Sequence, residues 1–303
     1  MTPFGSVNPA GRTGVSAPPE FPPPAARQLE NTAFPEDFRA AFAAFDTLPL
    51  AELKAANLQN RVDTKFTFAE AHLVEVLERV RVRYRVVDAF GFTYGRYATL
   101  YFDTPQLAMY LPHHNSVRER FKVRVRSYLD TQVSFLEVKR KTNKERTVKT
   151  RMSVPFGEPL PEESIPFISN NSPFSLGELQ PMLFNEFWRI TLVARAEVER
   201  ITIDVGLRLA VQERSESLDG LVIAEVKQPK FTSRSAFVQE MHRLHIQPLG
   251  FSKYAMGVAM LKPGAKANMF KPRIRAVQRL HSGARAHAPR AGLVAGALLP
   301  LGV

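Results

Sequence analysis

A chain of 303 residues with 41 Lys+Arg against 29 Asp+Glu carries a formal net charge of +12, a balance that points to anionic partners: nucleic acid, polyphosphate, nucleotides or an anionic membrane surface. At 45% hydrophobic residues it can bury the core of one large domain or two small ones. With no cysteine, disulfides and thiolate metal sites are excluded. The longest apolar run, AGLVAGALLPLGV, is too short to span a bilayer and contains a proline, and no secretory signal is visible, so a cytoplasmic protein is expected.

Residues 1–34, with the stretch SAPPEFPPPAA, lack hydrophobic periodicity and read as disordered. The ordered part is expected over 35–261. Phe38, Phe42 and Phe45 recur at helical spacing, NRVDTKFTF (60–68) reads as a strand, and Thr67 with Glu70 suggests a capping box for a helix whose Leu73, Val76, Leu77 and Val80 share one face. Strand patterns follow at 97–103, 117–128, 132–141 and 145–154. More follow at 187–194, 197–205 and 220–227. Two helices, 233–245 and 252–261, close the domain, and the basic, proline-punctuated tail 262–303 reads as unfolded, with attachment to a membrane or nucleic acid as a sharper alternative. About eight strands with few helices make an α+β domain on an antiparallel sheet or barrel.

The strands share a pattern. In FKVRVRSY, Lys122, Arg124 and Arg126 alternate with Val123 and Val125; in FLEVKRK, Glu137, Lys139 and Lys141 lie opposite Leu136 and Val138. Lys149 with Arg151, Arg200 with Asp204, Glu225 with Lys227, and Arg61 with Asp63 and Lys65 repeat it. A half-exposed antiparallel sheet also alternates polar with apolar residues, and for any single strand that is the simpler reading. Collectively it weakens, because cations far outnumber carboxylates on these faces and like charges two residues apart repel by roughly 2 kcal/mol at an effective dielectric near 20. Closed into a barrel, the charged faces would point inward and call for a polyanion. Glu137 and Glu225, each two residues before a lysine, then become candidates to hold a divalent metal bridging to phosphate oxygens, with simple ion pairing as the alternative. His242 and His245, one helical turn apart, read as surface residues before metal ligands, and Trp188 reads as packing beneath a helix, with adenine stacking left open.

These residues resemble the VTC domain, the catalytic domain of polyphosphate polymerases, in the triphosphate tunnel metalloenzyme superfamily. The likeness covers roughly 58–261 through RVDTKF, TLYFDT, KVRVRSY, FLEVKRK, VKTR, ERITID, IAEVKQP and SKYAMG in order. It implies an antiparallel β-barrel tunnel lined by Arg and Lys, with flanking helices. Carried over, Arg124, Arg126, Lys139, Arg200 and Lys253 stand in catalytic positions. Arg61, Lys65, Lys122, Lys149, Arg151, Arg189 and Lys227 stand along the bound phosphates, with Lys122 expected near the watery tunnel mouth. Glu225, with Glu137 second, is the implied ligand of Mn²⁺ or Mg²⁺. Phe187 stands where the family has a tyrosine, and Asp63 where a glutamate is commoner. The Arg61-x-Asp63-x-Lys65 element departs from the Glu-x-Glu-x-Lys of the hydrolase branch, which favours transfer of the ATP γ-phosphate to a growing polyphosphate chain. A tripolyphosphate or nucleoside-triphosphate hydrolase, or a non-catalytic polyphosphate binder, are the alternatives. ATP and polyphosphate are the implied partners, with no nucleic acid. A membrane-protein partner for export would place the domain at the inner face of a membrane.

Overall fold

The computed structural model describes residues 33–53, 61–143 and 147–287, with side chains to residue 281. The chain begins with helix α1 (Glu36–Ala43), strand β1 (Thr47–Pro49) and the single turn α2 (Leu50–Leu53). Next come β2 (Val62–Ala69), α3 (Leu73–Val80), β3 (Tyr84–Asp88), β4 (Tyr94–Asp103) and α4 (Tyr110–His114). The meander β5 (Arg120–Tyr128), β6 (Val133–Lys141) and β7 (Thr147–Val154) precedes α5 (Ser164–Asn171) and the long β8 (Gln180–Ala194). Strands β9 (Arg200–Val211), β10 (Arg214–Leu218) and β11 (Leu221–Gln228) lead to α6 (Ala236–Arg243), α7 (Lys253–Leu261) and α8 (Lys271–His287).

One curled antiparallel sheet runs β2-β11-β9-β8-β4-β5-β6-β7. The eight strands expected from sequence form this path. Outside it, β10 pairs with β9, β3 with β8, and β1 joins β3 in parallel. The α+β class, the antiparallel sheet and the flanking helices are as expected. The sheet curls without closing into a hydrogen-bonded barrel, since β2 and β7 do not pair among the described residues. The outer edge of β2 is otherwise engaged: Leu249 donates its N–H to the Lys65 carbonyl at 2.9 Å, and Phe66 forms a bridge with Pro248.

Alternation sorts the side chains by face. On the convex side, Phe66, Phe68, Ile190, Ile201, Ile203, Val222, Ala224 and Val226 are buried in one cluster with Phe38 and Phe42 of α1, Leu73, Val76 and Leu77 of α3, and Phe237 and Met241 of α6. Val123, Leu136 and Val138, the apolar residues between the cations of β5 and β6, are buried in a second cluster with Ile168 of α5. The apolar faces do lie outward under helices. At one end the concave face is apolar too: Leu183 and Ile223 are buried there, and α7 packs so tightly that a Cβ on Gly257 would meet Leu183 Cδ1 at 2.6 Å.

Two local expectations differ. Thr67 lies within β2 and its hydroxyl reaches the Leu249 carbonyl at 3.4 Å, so the turn before α3 has no side-chain cap; a capping box forms instead at Ser175 and Glu178. Beyond Leu261, where an unfolded tail was expected, residues Lys271–His287 are helical. Phe270, Ile274, Val277 and His281 fall at helical spacing and give α8 an inward stripe, and His281 Nδ1 sits 2.6 Å from the Asp219 carbonyl oxygen. The proline-rich residues 1–32 and the end of the tail, 288–303, lie outside the described residues.

Candidate functional site

Cross-strand pairing assembles the charged residues on the concave face. On one wall Lys122 of β5 faces Lys139 of β6, which faces Lys149 of β7, and Arg124, Glu137 and Arg151 form the next row. On the other wall Glu225 of β11 lies between Lys65 of β2 and Thr202 of β9, Lys227 lies between Asp63 and Arg200, and Arg189 of β8 faces Asp204. Ser252 caps α7 by accepting the Ala255 N–H, and this places Lys253 over the same face. The curl brings the walls together: the charge of Lys139 acts on Lys65 across the groove.

The carboxylates are already committed. Glu137 is fully buried and accepts from Arg124 Nε at 2.7 Å while pairing with Lys149. Burial opposes its ionisation, yet the charges of Arg124, Arg126 and Lys149 hold its pKa near 2. Asp204 takes a two-pronged bond from Arg189 (2.6 and 2.7 Å) and a further one from Lys253. Glu225 pairs with Lys65 and, at 2.6 Å, with Lys227. Asp63 holds Arg61 at 2.9 Å toward the rim. Against these, Arg126 and Arg200 each keep a buried Nε without a partner among the described residues. Burial, reinforced by the charge of Arg124, lowers the Lys139 pKa to about 8. Burial with Lys227 and Lys139 lowers that of Lys65 to about 7.

All the predicted cations except the rim residues converge. Arg61, Lys149 and Arg151 lie nearer solvent, Arg151 stacking over the Phe135 ring at 4.6 Å. Lys122 departs from its expected place in open water. It is partly buried and donates to Ser252 Oγ at 2.9 Å, because α7 reaches over it. Phe187, in place of a tyrosine, is buried as an aromatic floor, with Lys253 Nζ 4.1 Å and Arg189 Cζ 5.1 Å from its centre. Trp188 points to the other face and packs edge-on to Phe34 and Tyr94 at 5.7 Å. His245 lies beyond the end of α6 with a positive φ of 56°, so it does not share a helical face with His242.

The two glutamates fit a metal differently. Among the described residues no group of three or more His, Asp or Glu is placed to hold an ion. Glu137 is sealed between two cations and does not fit. Glu225 also pairs with two lysines, but at 20% exposed it lies within reach of a hard cation that takes the place of Lys65, and it fits as a single anchor, the remaining ligands being phosphate oxygens and water.

Sequence reasoning passed over several residues. Tyr101 accepts from Arg124 Nη1 at 3.0 Å, and Thr99 and Asn185 lie in line with Arg126. Tyr97, Thr99 and Tyr101 alternate within one strand, and that signal could have placed them on this face. Two recognised motif pieces prove structural. Asp103 of TLYFDT accepts the backbone N–H groups of Thr104, Met109 and Tyr110 at 2.7–2.9 Å and the hydroxyl of Tyr254 from SKYAMG.

A family model for the VTC domain matches residues 60–262. The chain belongs to the VTC domain family. Membership supports a polyphosphate-related function. No curated protein matches the sequence. Among solved structures, the VTC chain is similar to a putative adenylate cyclase from Bacillus halodurans (8% identity, 64% of this chain and 95% of that chain, TM-score 0.42). Similar too is a putative adenylyl cyclase from Hippeastrum, described as having a dominant triphosphatase activity (12% identity, 66% and 96%, TM-score 0.38). A third is an RNA triphosphatase from Schizosaccharomyces pombe (11%, 85% and 94%, TM-score 0.25). Among the described residues no helix is long and apolar enough to cross a membrane.

Proposed function

We propose that the concave face is the active site of a polyphosphate polymerase, which transfers the γ-phosphate of ATP to the terminal phosphate of a growing polyphosphate chain. The observation that carries this reading is the surplus of positive charge. The four carboxylates are spent on Arg61, Lys65, Arg124, Lys149, Arg189, Lys227 and Lys253. Among the described residues Arg126 and Arg200 each keep an unpartnered Nε, and Lys139 faces lysines on both sides.

Phosphoryl transfer asks for positioning and charge neutralisation more than for covalent help. Arg126 and Arg200 offer donors to phosphate oxygens, Arg124 and Arg189 add positive charge while their forks are held by Glu137 and Asp204, and Lys139 and Lys253 offer point charges. An oxygen of the acceptor's terminal phosphate bonds to the γ-phosphorus as the bond to the ADP oxygen breaks. That acceptor is already an anion, so no general base is needed. His113, near enough to Lys122 and Arg120 to feel their charges, is a poor base: burial and those charges hold its pKa near 2. Glu225 would hold Mn²⁺ or Mg²⁺, which when bound would help neutralise the charge of the bound phosphates.

Purified protein incubated with ATP and Mn²⁺ tests the reading. Long polyphosphate resolved on a gel is the expected result. Free phosphate alone would make the protein a hydrolase of the same fold, and binding without turnover would make it a polyphosphate-binding domain. A membrane-protein partner that exports the product fits this chemistry and would be sought by co-purification from membranes.

A further inference from the structure

Thr99 and Asn185 are completely buried, and neither the Thr99 hydroxyl nor either end of the Asn185 carboxamide has a hydrogen-bond partner among the described residues. They are cross-strand neighbours of each other, and Thr99 is the cross-strand neighbour of Arg126, whose buried Nε is likewise unpartnered. Four unmet groups thus lie in one row across β5, β4 and β8. Other buried polar atoms, among them Ser164 Oγ and Arg200 Nε, also lack a partner among the described residues, but this row joins three residues across adjacent strands, whereas Ser127 pairs with Ser134 at 2.7 Å and Glu199 gathers Tyr84, Ser235 and Gln228. Native proteins leave few such groups unsatisfied, and a run of them marks a place where something else binds.

The row faces the concave side. Its neighbours along the same strands are Tyr101, which bonds Arg124, and Tyr97, which lies 5.2 Å beneath the Arg189 guanidinium. Its chemistry differs from the rest of the face. Arg and Lys only donate, whereas a carboxamide both donates and accepts, and a hydroxyl does either. An internal phosphate of a polyphosphate chain offers acceptors alone, and cations satisfy it fully. A terminal phosphate near neutral pH exchanges a proton on an extra oxygen and so offers a P–OH donor as well.

We propose that Arg126, Thr99 and Asn185 form a subsite for a terminal phosphate group, in which the Asn185 carbonyl oxygen accepts the P–OH and the Asn185 amide, Thr99 hydroxyl and Arg126 Nε donate to the other oxygens. The proposal deepens the polyphosphate reading of the same face and rests on it.

The test compares linear tripolyphosphate, which has ends, with cyclic trimetaphosphate, which has none, by calorimetry on the full chain and its Thr99→Val and Asn185→Leu variants. Each variant is expected to weaken tripolyphosphate about tenfold, the worth of a typical hydrogen bond, and to leave trimetaphosphate within about twofold. Because both substitutions remove unmet buried groups while keeping the number of side-chain heavy atoms, the unliganded Thr99→Val variant is expected to melt at or above the wild-type temperature and Asn185→Leu, with its larger side chain, close to it. Equal losses for both ligands, or no loss for either, would overturn terminal recognition while leaving the polyphosphate reading intact. A marked fall in melting temperature would assign the row to a structural water network instead. Wild-type protein that binds neither ligand would overturn both readings.

Discussion

Replacing Glu137 by Gln separates its two possible roles, as the clasp of Arg124 and Lys149 or as a ligand for a cation. Its carboxylate is fully buried, and its pKa has fallen from the usual 4.5 to about 2. Burial pushes the other way, so the surrounding cations more than offset it. That lowering corresponds to about 3 kcal/mol of folding stability, in line with about 3–5 kcal/mol for breaking one partner out of a buried pair. For a domain of this size that is a fall of roughly 6–12 °C in melting temperature. The sign follows from linkage. The folded pKa is depressed, so the stabilisation is present above the ordinary carboxylate pKa and disappears as pH falls through about 2. The gap between wild type and Glu137→Gln should therefore be full at pH 7 and close progressively below pH 4, measured by thermal melts across that range. The variant's polyphosphate affinity should hold or rise, since the face has gained net positive charge, and its response to Mn²⁺ should persist. A variant of unchanged stability that has lost the Mn²⁺ response would refute the clasp and make Glu137 a metal ligand.

Glu225→Gln, by contrast, is expected to abolish metal-dependent turnover while leaving tripolyphosphate binding without metal largely intact; metal-dependent activity that survives the change would remove Glu225 as anchor. Polyphosphate affinity should decline as pH rises from 7 to 9, because Lys139, whose pKa burial and Arg124 lower to about 8, must be protonated when the polyanion binds. Calorimetry in two buffers of different ionisation enthalpy should show net proton uptake near pH 8.5, and none would refute the assignment. Asp103→Ala strips the acceptor from three backbone N–H groups and the Tyr254 hydroxyl, so a loss of several kcal/mol in chemical denaturation is expected. Gly257→Ala should cost about 1–3 kcal/mol through overpacking against Leu183, with Leu183→Ala in the same chain restoring part of it.

The eight strands of the sheet path were legible because each carries a strict period of two, and the charged face was legible because cations recur on it strand after strand. Register was not. That Lys122 meets Lys139 and Glu225 meets Lys65 depends on turn geometry and on bulges such as the one between Glu186 and Trp188, which periodicity does not encode. The commitment of Glu137 to Arg124 was hidden for the same reason, since thirteen residues separate the two. Thr99 and Asn185 carry no charge, so reasoning built on charge passed them by. Helix α8 was missed because Pro272 and a basic composition argued for an extended tail. Proline in fact suits the first turn of a helix, where its missing N–H has no intrahelical acceptor.

The unclosed sheet and the position of α7 have one cause. Here residues 248–249 bond to the outer edge of β2, the position that β7 would fill in a closed ring. The same segment then runs on into the helix whose first turn delivers Ser252 to Lys122, Lys253 to Asp204 and Tyr254 to Asp103. Closing the seam with β7 would also press the charged strand edges bearing Lys149 and Lys65 against each other with no anion between them. Leaving it open relieves that repulsion and admits a helix whose apolar body covers Leu183 at one end of the face while its basic first turn stays among the phosphate-binding cations. The concave surface is thereby divided along its length into a dry, helix-covered end and a charged groove, and the row formed by Arg126, Thr99 and Asn185 lies at the boundary between them, two residues along β8 from Leu183.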